Sequence, residues 1–150
     1  MISNLRYWFL IALIFMVYVA GMFATLFEND SAQFSVMAMR MVQENDFFSL
    51  FKGPEEYLDK PHMHYWLAAL SYKIFGLYDW AYRIPGILST LLAAYSCYGL
   101  GNLLYSKHVG KLAALIFMTA QTIVLGATDV RTDAVLTGFS ILAIWQLTNY

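Results

Sequence analysis

From Tyr7 to Phe27 the chain runs for about 21 residues without a charged side chain. At about 1.5 Å per residue, a helix of that length crosses the roughly 30 Å hydrocarbon core of a bilayer. Ile84–Tyr105 is a second such run, Leu112–Thr128 a shorter third, and Ala134–Tyr150 a fourth. Helices are the open-chain solution for such runs, because an unpaired backbone amide in hydrocarbon costs on the order of several kcal/mol. The expected fold is therefore all-α and integral to the membrane, with about four transmembrane helices. Composition agrees. The sequence is 60% hydrophobic and 13% charged, whereas soluble domains average about 45–50% and about 25%. A formal net charge of −1 gives no electrostatic footprint for nucleic acid.

The first run competes with a signal peptide, since Arg6 precedes it and small residues occur near Ala20 and Ala24. It is long for a signal sequence and further spans follow, so it reads as an uncleaved span. Tyr7, Trp8, Trp80, Tyr82 and Tyr105 stand near span ends, where interfacial aromatics collect. The fourth run continues to the last residue, so the chain is expected to be the N-terminal part of a longer polytopic protein.

Loop charge sets the orientation. Ser106–Lys111, between the second and third runs, carries Lys107, His108 and Lys111 and no acid, and Arg6 precedes the first run. The positive-inside rule places both in the cytoplasm. The segment from Glu28 to Arg83 and the loop Asp129–Asp133 then lie on the outer face of the plasma (inner) membrane, and every Asp and Glu falls there.

The outer loop 28–83 is too ordered for a tether. Asp30 can cap a helix from Ser31 to about Glu44, with Gln33 in the place of a capping-box partner. Phe34, Met37, Ala38 and Met41 recur at helical spacing opposite Gln33, Arg40, Gln43 and Glu44, which suits an amphipathic helix half sunk among headgroups. Asn45-Asp46 and Lys52-Gly53-Pro54 read as turns. Pro61 fits the first position of a second short helix through about Ile74, ended by Gly76, and Asp79 can cap the next span.

Three outer acids stand where the chain meets the membrane: Asp30 after the first span, Asp59 before Lys60-Pro61, and Asp133 before the fourth span. Lys60 and Arg83 add cations to the same face. Acids for proton transfer or metal binding, with cations for phosphate, suit a sugar-phosphate or lipid-phosphate reaction. Each residue also has a plainer role. Asp30 and Asp133 can cap helices, Asp133 can pair with Arg131, Asp59-Lys60 can be a solvated turn, and Arg83 can snorkel to headgroups. His62 and His64, two apart, do not share a helical face and are not read as ligands.

The ordered set Asp30 to Phe34, Arg40 to Phe47, Tyr57 to Leu67, Phe75-Gly76, Arg83-Ile84-Pro85-Gly86 and Arg131-Thr132-Asp133 resembles membrane glycosyltransferases of the GT-C fold. The family is that of the lipid A aminoarabinose transferase and the protein O-mannosyltransferases. The resemblance implies that Asp30 is a catalytic carboxylate and that Asp133 is the acid paired with it. The family commonly places Glu after the first acid, where Ser31 stands here. It usually reads Glu-Lys-Pro-Pro where Asp59-Lys60-Pro61-His62 stands. Lys60 is implied to contact the donor phosphate, with Arg83 as a second cation. In some members the acid before the Lys lies near a metal, so a divalent metal at Asp59 is implied only with ligands from far downstream. The implied partners are a polyprenyl-phosphate-linked sugar, a lipid, protein or glycan acceptor at the outer face, and membrane lipids. Two rival readings are a polytopic transporter, which would place its acids toward mid-bilayer on broken helices, and a structural helix bundle without catalysis. The four runs read as clean spans with acids at their ends, which favours the enzyme.

Overall fold

Helix α4 (Asp79–Leu104) is the axis of the computed structural model, which describes residues 4–26, 29–129 and 131–150. The expected span end at Phe27 and loop start at Glu28 lie outside the described residues. Around α4 stand α1 (Asn4–Met22), α5 (Lys107–Thr119), α6 (Gln121–Thr128) and α7 (Thr132–Asn149). Against its first turns pack α2 (Asn29–Glu44) and α3 (Met63–Phe75). Between α2 and α3 lies a short antiparallel hairpin, β1 (Phe51–Lys52) with β2 (Glu55–Glu56), turned at Gly53 with φ 63°. The fold is thus an all-α bundle with one two-residue hairpin where the Lys52-Gly53-Pro54 turn was expected.

Helices α1 and α4 are long and apolar enough to cross a membrane, and α5 with α6 makes a third span if the bent pair is counted as one. Helix α7 falls outside that set. The exposed side chains of α1 include Trp8, Phe9, Met16 and Val17, a surface suited to lipid.

The third run is not the continuous span expected. Its two helices meet at Ala120, in extended geometry, at an angle of 56°. No proline or glycine causes this break. Thr119 Oγ1 donates to Leu115 O at 2.8 Å, a side-chain bond that competes with the helical ladder. The break is tolerated because the buried Tyr18 hydroxyl, from α1, donates to Met118 O at 2.9 Å. Proline causes the second irregularity. Pro85 cannot donate to the carbonyl four residues back. Ser71 Oγ of α3 donates to that carbonyl, Ala81 O, instead.

The expected apolar stripe of α2 exists, but protein covers it. Phe34, Met37, Ala38 and Met41 join Tyr65, Ala68, Ala69, Tyr72 and Tyr82 in one core. The helix therefore presents this face to α3 rather than to headgroups. It begins at Asn29 rather than Ser31, so Asp30 lies inside its first turn instead of capping it. Helix α3 begins at Met63, two residues past Pro61, and closes at Gly76 with φ 91°. Asp79 opens α4 but does not cap it; its Oδ2 accepts weakly from Leu26 N at 3.5 Å.

Small residues let α4 approach its neighbours closely. A Cβ on Gly110 of α5 would sit 2.5 Å from Tyr98 O and 3.0 Å from Asn102 N of α4. One on Gly138 of α7 would sit 2.6 Å from Ser89 O. Backbone atoms cannot yield as side-chain tips can. Gly110→Val is expected to lower unfolding stability by about 2 kcal/mol or more. Gly126→Ala, in open space, should be neutral or gain up to about 1 kcal/mol. Equal melting temperatures of the two variants in detergent would contradict this packing.

Candidate active site

The ends of α1 and α6 and the starts of α2, α4 and α7 meet at one end of the bundle, and Arg83 is the knot. Its side chain is 2% exposed. Nε donates to Thr128 O at 2.6 Å, Nη1 to Met22 O at 3.1 Å and to Ala24 O, and Nη2 to Thr25 O at 3.2 Å. The last carbonyls of a helix lack intrahelical partners and mark its negative end. Arg83 answers both needs at the close of α1 and of α6. It does not snorkel, and its guanidinium is engaged by backbone oxygens. It also borders a cavity of about 280 Å³ with Ser31, Thr128 and Asp129.

Beside this knot is a polar network. Ser31 Oγ, 1% exposed, donates to Asp129 Oδ1 at 2.9 Å. Arg131 donates through Nε to Asp129 Oδ2 at 3.0 Å and places Nη1 3.4 Å from Asp30 Oδ2. The acid that Asp30 reaches through Arg131 is therefore Asp129. Asp133 lies in the first turn of α7, exposed, and borders a small cavity of about 50 Å³ that also touches Thr90, Thr122 and Thr137. The Ser31 hydroxyl satisfies Asp129; a carboxylate at position 31 would face another.

Asp59 and Lys60 sit exposed in a bend just before α3. Among the described residues no ion pair engages the Lys60 ammonium, so it is open to an anion. The Tyr57 hydroxyl belongs to a ring 6.4 Å from that of Phe34, one turn along α2 from Asp30. Its pKa is raised by partial burial, then by the nearby charges of Asp59 and Asp30. Sequence and structure together thus bring Asp30, Asp59 and Lys60 to one end, with Asp129, Ser31, Arg131 and Tyr57 as added neighbours. Among the described residues no three His, Cys, Asp or Glu form a group that could hold a metal, so a metal at Asp59 would take its other ligands from elsewhere.

His64 lies behind the network, 2% exposed and boxed by the rings of Phe34, Tyr65 and Tyr82. Its Nε2 shares a 2.9 Å hydrogen bond with Tyr82 Oη, while Nδ1 and Tyr65 Oη have no partner among the described residues. Spacing two from His62 was no guide to this role, because His64 acts alone. Burial pushes its pKa down to about 4, against a smaller upward pull from Asp133.

The fold is shared with a solved structure. The crystal structure of ArnT from Cupriavidus metallidurans in the apo state superimposes on 97% of this chain and 28% of its own length, with a TM-score of 0.88 at 19% identity. A family model, dolichyl-phosphate-mannose-protein mannosyltransferase, matches residues 59–150. The chain belongs to that family. Among curated relatives, the undecaprenyl phosphate-alpha-4-amino-4-deoxy-L-arabinose arabinosyl transferase of Yersinia pestis (strain Pestoides F) is 31% identical over 95 residues, 63% of this chain. The protein of that name from Yersinia enterocolitica serotype O:8 is 32% identical over 95 residues. The match covers 17% of the length of each of these two relatives.

A histidine held neutral in the fold makes stability depend on pH. The unfolded chain takes up this proton near pH 6.5 and the folded chain only near pH 4. The contribution is complete above about pH 6.5 and is lost as pH falls toward 4, by roughly 3 kcal/mol. Unfolding free energies of the native protein and His64→Gln should therefore converge on acidification across that window. Parallel curves would contradict a buried neutral His64.

Proposed function

We propose that this chain is the N-terminal membrane part of a glycosyltransferase that moves a sugar from a polyprenyl-phosphate donor to a lipid, protein or glycan acceptor at the outer membrane face. The observation that supports the reading is the Asp30–Arg131–Asp129 network at the end of the bundle where α3 begins just after the exposed Asp59 and Lys60, in a chain whose family is that of dolichyl-phosphate-mannose-protein mannosyltransferases. In this reading α1, α4, the bent α5–α6 pair and α7 are four spans. The N-terminus is cytoplasmic and α2, α3 and the hairpin form the floor of the site at the outer surface.

The chemistry follows from the groups present. Asp30 accepts the proton of an acceptor hydroxyl, and the oxygen attacks the anomeric carbon as the sugar–phosphate bond breaks. The polyprenyl phosphate leaves with its charge met by Lys60. A phosphate acceptor is already ionised and needs positioning instead. Arg131 holds the Asp30 and Asp129 carboxylates in a fixed relation, and Asp133 completes the acidic rim. A groove of about 280 Å³ between α3, α4 and α7, walled by Leu67, Leu70, Ile74, Leu88 and Leu92, suits the donor's hydrocarbon tail. The buried Arg83 fits a phosphate contact poorly, because its donors are already engaged. Asp59 stays a candidate metal ligand whose co-ligands come from beyond this chain.

The break at Ala120 is a feature that transporters also use. Here its freed carbonyl is taken by Tyr18 and no acid lies at the break, so the geometry favours the enzyme.

In the complete protein, Asp30→Asn is expected to cut sugar transfer by about 100-fold or more while membrane insertion stays normal. Lys60→Ala should chiefly raise the donor concentration needed for half-maximal rate. Unchanged turnover in the first variant, or unchanged donor dependence in the second, would overturn these roles.

A further inference from the structure

The opposite end of the bundle carries a second cavity, of about 400 Å³, between α1, α4 and α5. Asn4, Lys107 and Lys111 line it at the helix ends, and Trp8, Ile11 and Leu91 line it deeper. Asn4 and Ile11 are seven positions apart on α1, so the apolar wall extends about 10 Å inward from the polar rim. Among the described residues the rim is cationic without compensation. Lys111 Nζ contacts Asn4 Oδ1 and lies 5.2 Å from the centroid of the Tyr7 ring, both uncharged partners. Lys107 is exposed. The sequence has no Asp or Glu before residue 28 or between 80 and 128. The acids that flank α4 begin at Asp79, at its other end, about 38 Å from Leu104 along the helix. No acid of this chain stands near Lys107 and Lys111, so the two ammonium groups offer a place for an anion.

From this charge pattern and shape we infer that the cavity is a binding site for an anionic phospholipid of the adjacent leaflet. The lipid phosphate sits against Lys107, Lys111 and the Asn4 amide. One acyl chain runs inward along Trp8, Ile11 and Leu91. A neutral detergent fills the same apolar wall but brings no anion, and a zwitterionic lipid brings a phosphate whose charge its own ammonium group offsets, so only an anionic headgroup leaves net negative charge for the two lysines. The basic rim alone would attract an anionic surface diffusely; the apolar shaft beneath it makes the contact a site with a fixed occupant. Basic pockets between membrane helices on the cytoplasmic side take lipid headgroups in this way. The site is far from Asp30 and stands independently of the transfer reading.

The test uses the complete protein in nanodiscs of phosphatidylcholine with a minor fraction of phosphatidylglycerol, the probe lipid. Lipid retained on ejection is measured by native mass spectrometry. The native protein should retain phosphatidylglycerol above its bulk fraction. Each lysine should contribute roughly fivefold, so Lys107→Gln/Lys111→Gln should lower the preference by more than tenfold. Lys107→Arg/Lys111→Arg should keep it. Lys52→Gln/Lys73→Gln, which removes two cations from the other end, should leave it unchanged. Phosphatidylglycerol brominated on its acyl chains should quench Trp8 fluorescence more than brominated phosphatidylcholine does, and Trp8→Phe should remove that excess. Equal retention of the two lipids, or an equal loss in both glutamine pairs, would overturn the site. So would quenching of Trp8 that ignores headgroup charge, the result expected if another protein segment fills the cavity.

Discussion

The structure depends on one buried guanidinium. Arg83 donates to carbonyls of Met22, Ala24 and Thr25 at the end of α1 and of Thr128 at the end of α6. In an apolar surrounding each carbonyl left alone costs about 1–3 kcal/mol, so one side chain removes a cost that would otherwise forbid both helix ends. Two smaller cases follow the same rule. Ser71 takes the Ala81 carbonyl released by Pro85, and Tyr18 takes the Met118 carbonyl at the bend between α5 and α6. Irregular backbone inside the bundle occurs where a neighbouring helix supplies a donor.

Because Arg83 fixes the close of α1 beside the close of α6, it also fixes what comes next along the chain. Asp30 lies in the first turn of α2, a few residues beyond Thr25, and Asp129 directly follows Thr128. Ser31 and Arg131 then tie the two carboxylates together. Asp59 and Lys60 arrive from the other side, carried by the packing of α3 on α2. The acidic end and the basic end of the bundle are thereby separated by the length of α4.

Much of this was legible in the sequence for physical reasons. Uncharged runs mark the apolar helices α1 and α4 because hydrocarbon admits little else. The Gly53 and Gly76 turns follow from backbone sterics. Clustering of acids on one side follows from loop charge. What the sequence hid were choices made by tertiary contact. The apolar stripe of α2 is the same whether headgroups or α3 cover it. Nothing in Thr119-Ala120-Gln121 announces a bend that needs Tyr18, about one hundred residues earlier. Arg83 at a helix end reads as a snorkelling or phosphate-binding cation until two helix C-termini are seen around it. Asp129 was one more loop acid beside Asp133, and only the Ser31 and Arg131 contacts distinguish it. His64 showed no pattern, since its state is set by burial.

The claim that Arg83 is the architectural knot of the polar end, rather than a ligand for phosphate, is tested by the unfolding free energy of Arg83→Met in the complete protein. The apolar side chain fills similar space without donors and leaves buried carbonyls unpaired. The expected result is a loss of about 3 kcal/mol or more, accompanied by loss of transfer at every donor concentration. Native stability with a defect confined to donor affinity would contradict the account and return Arg83 to the phosphate.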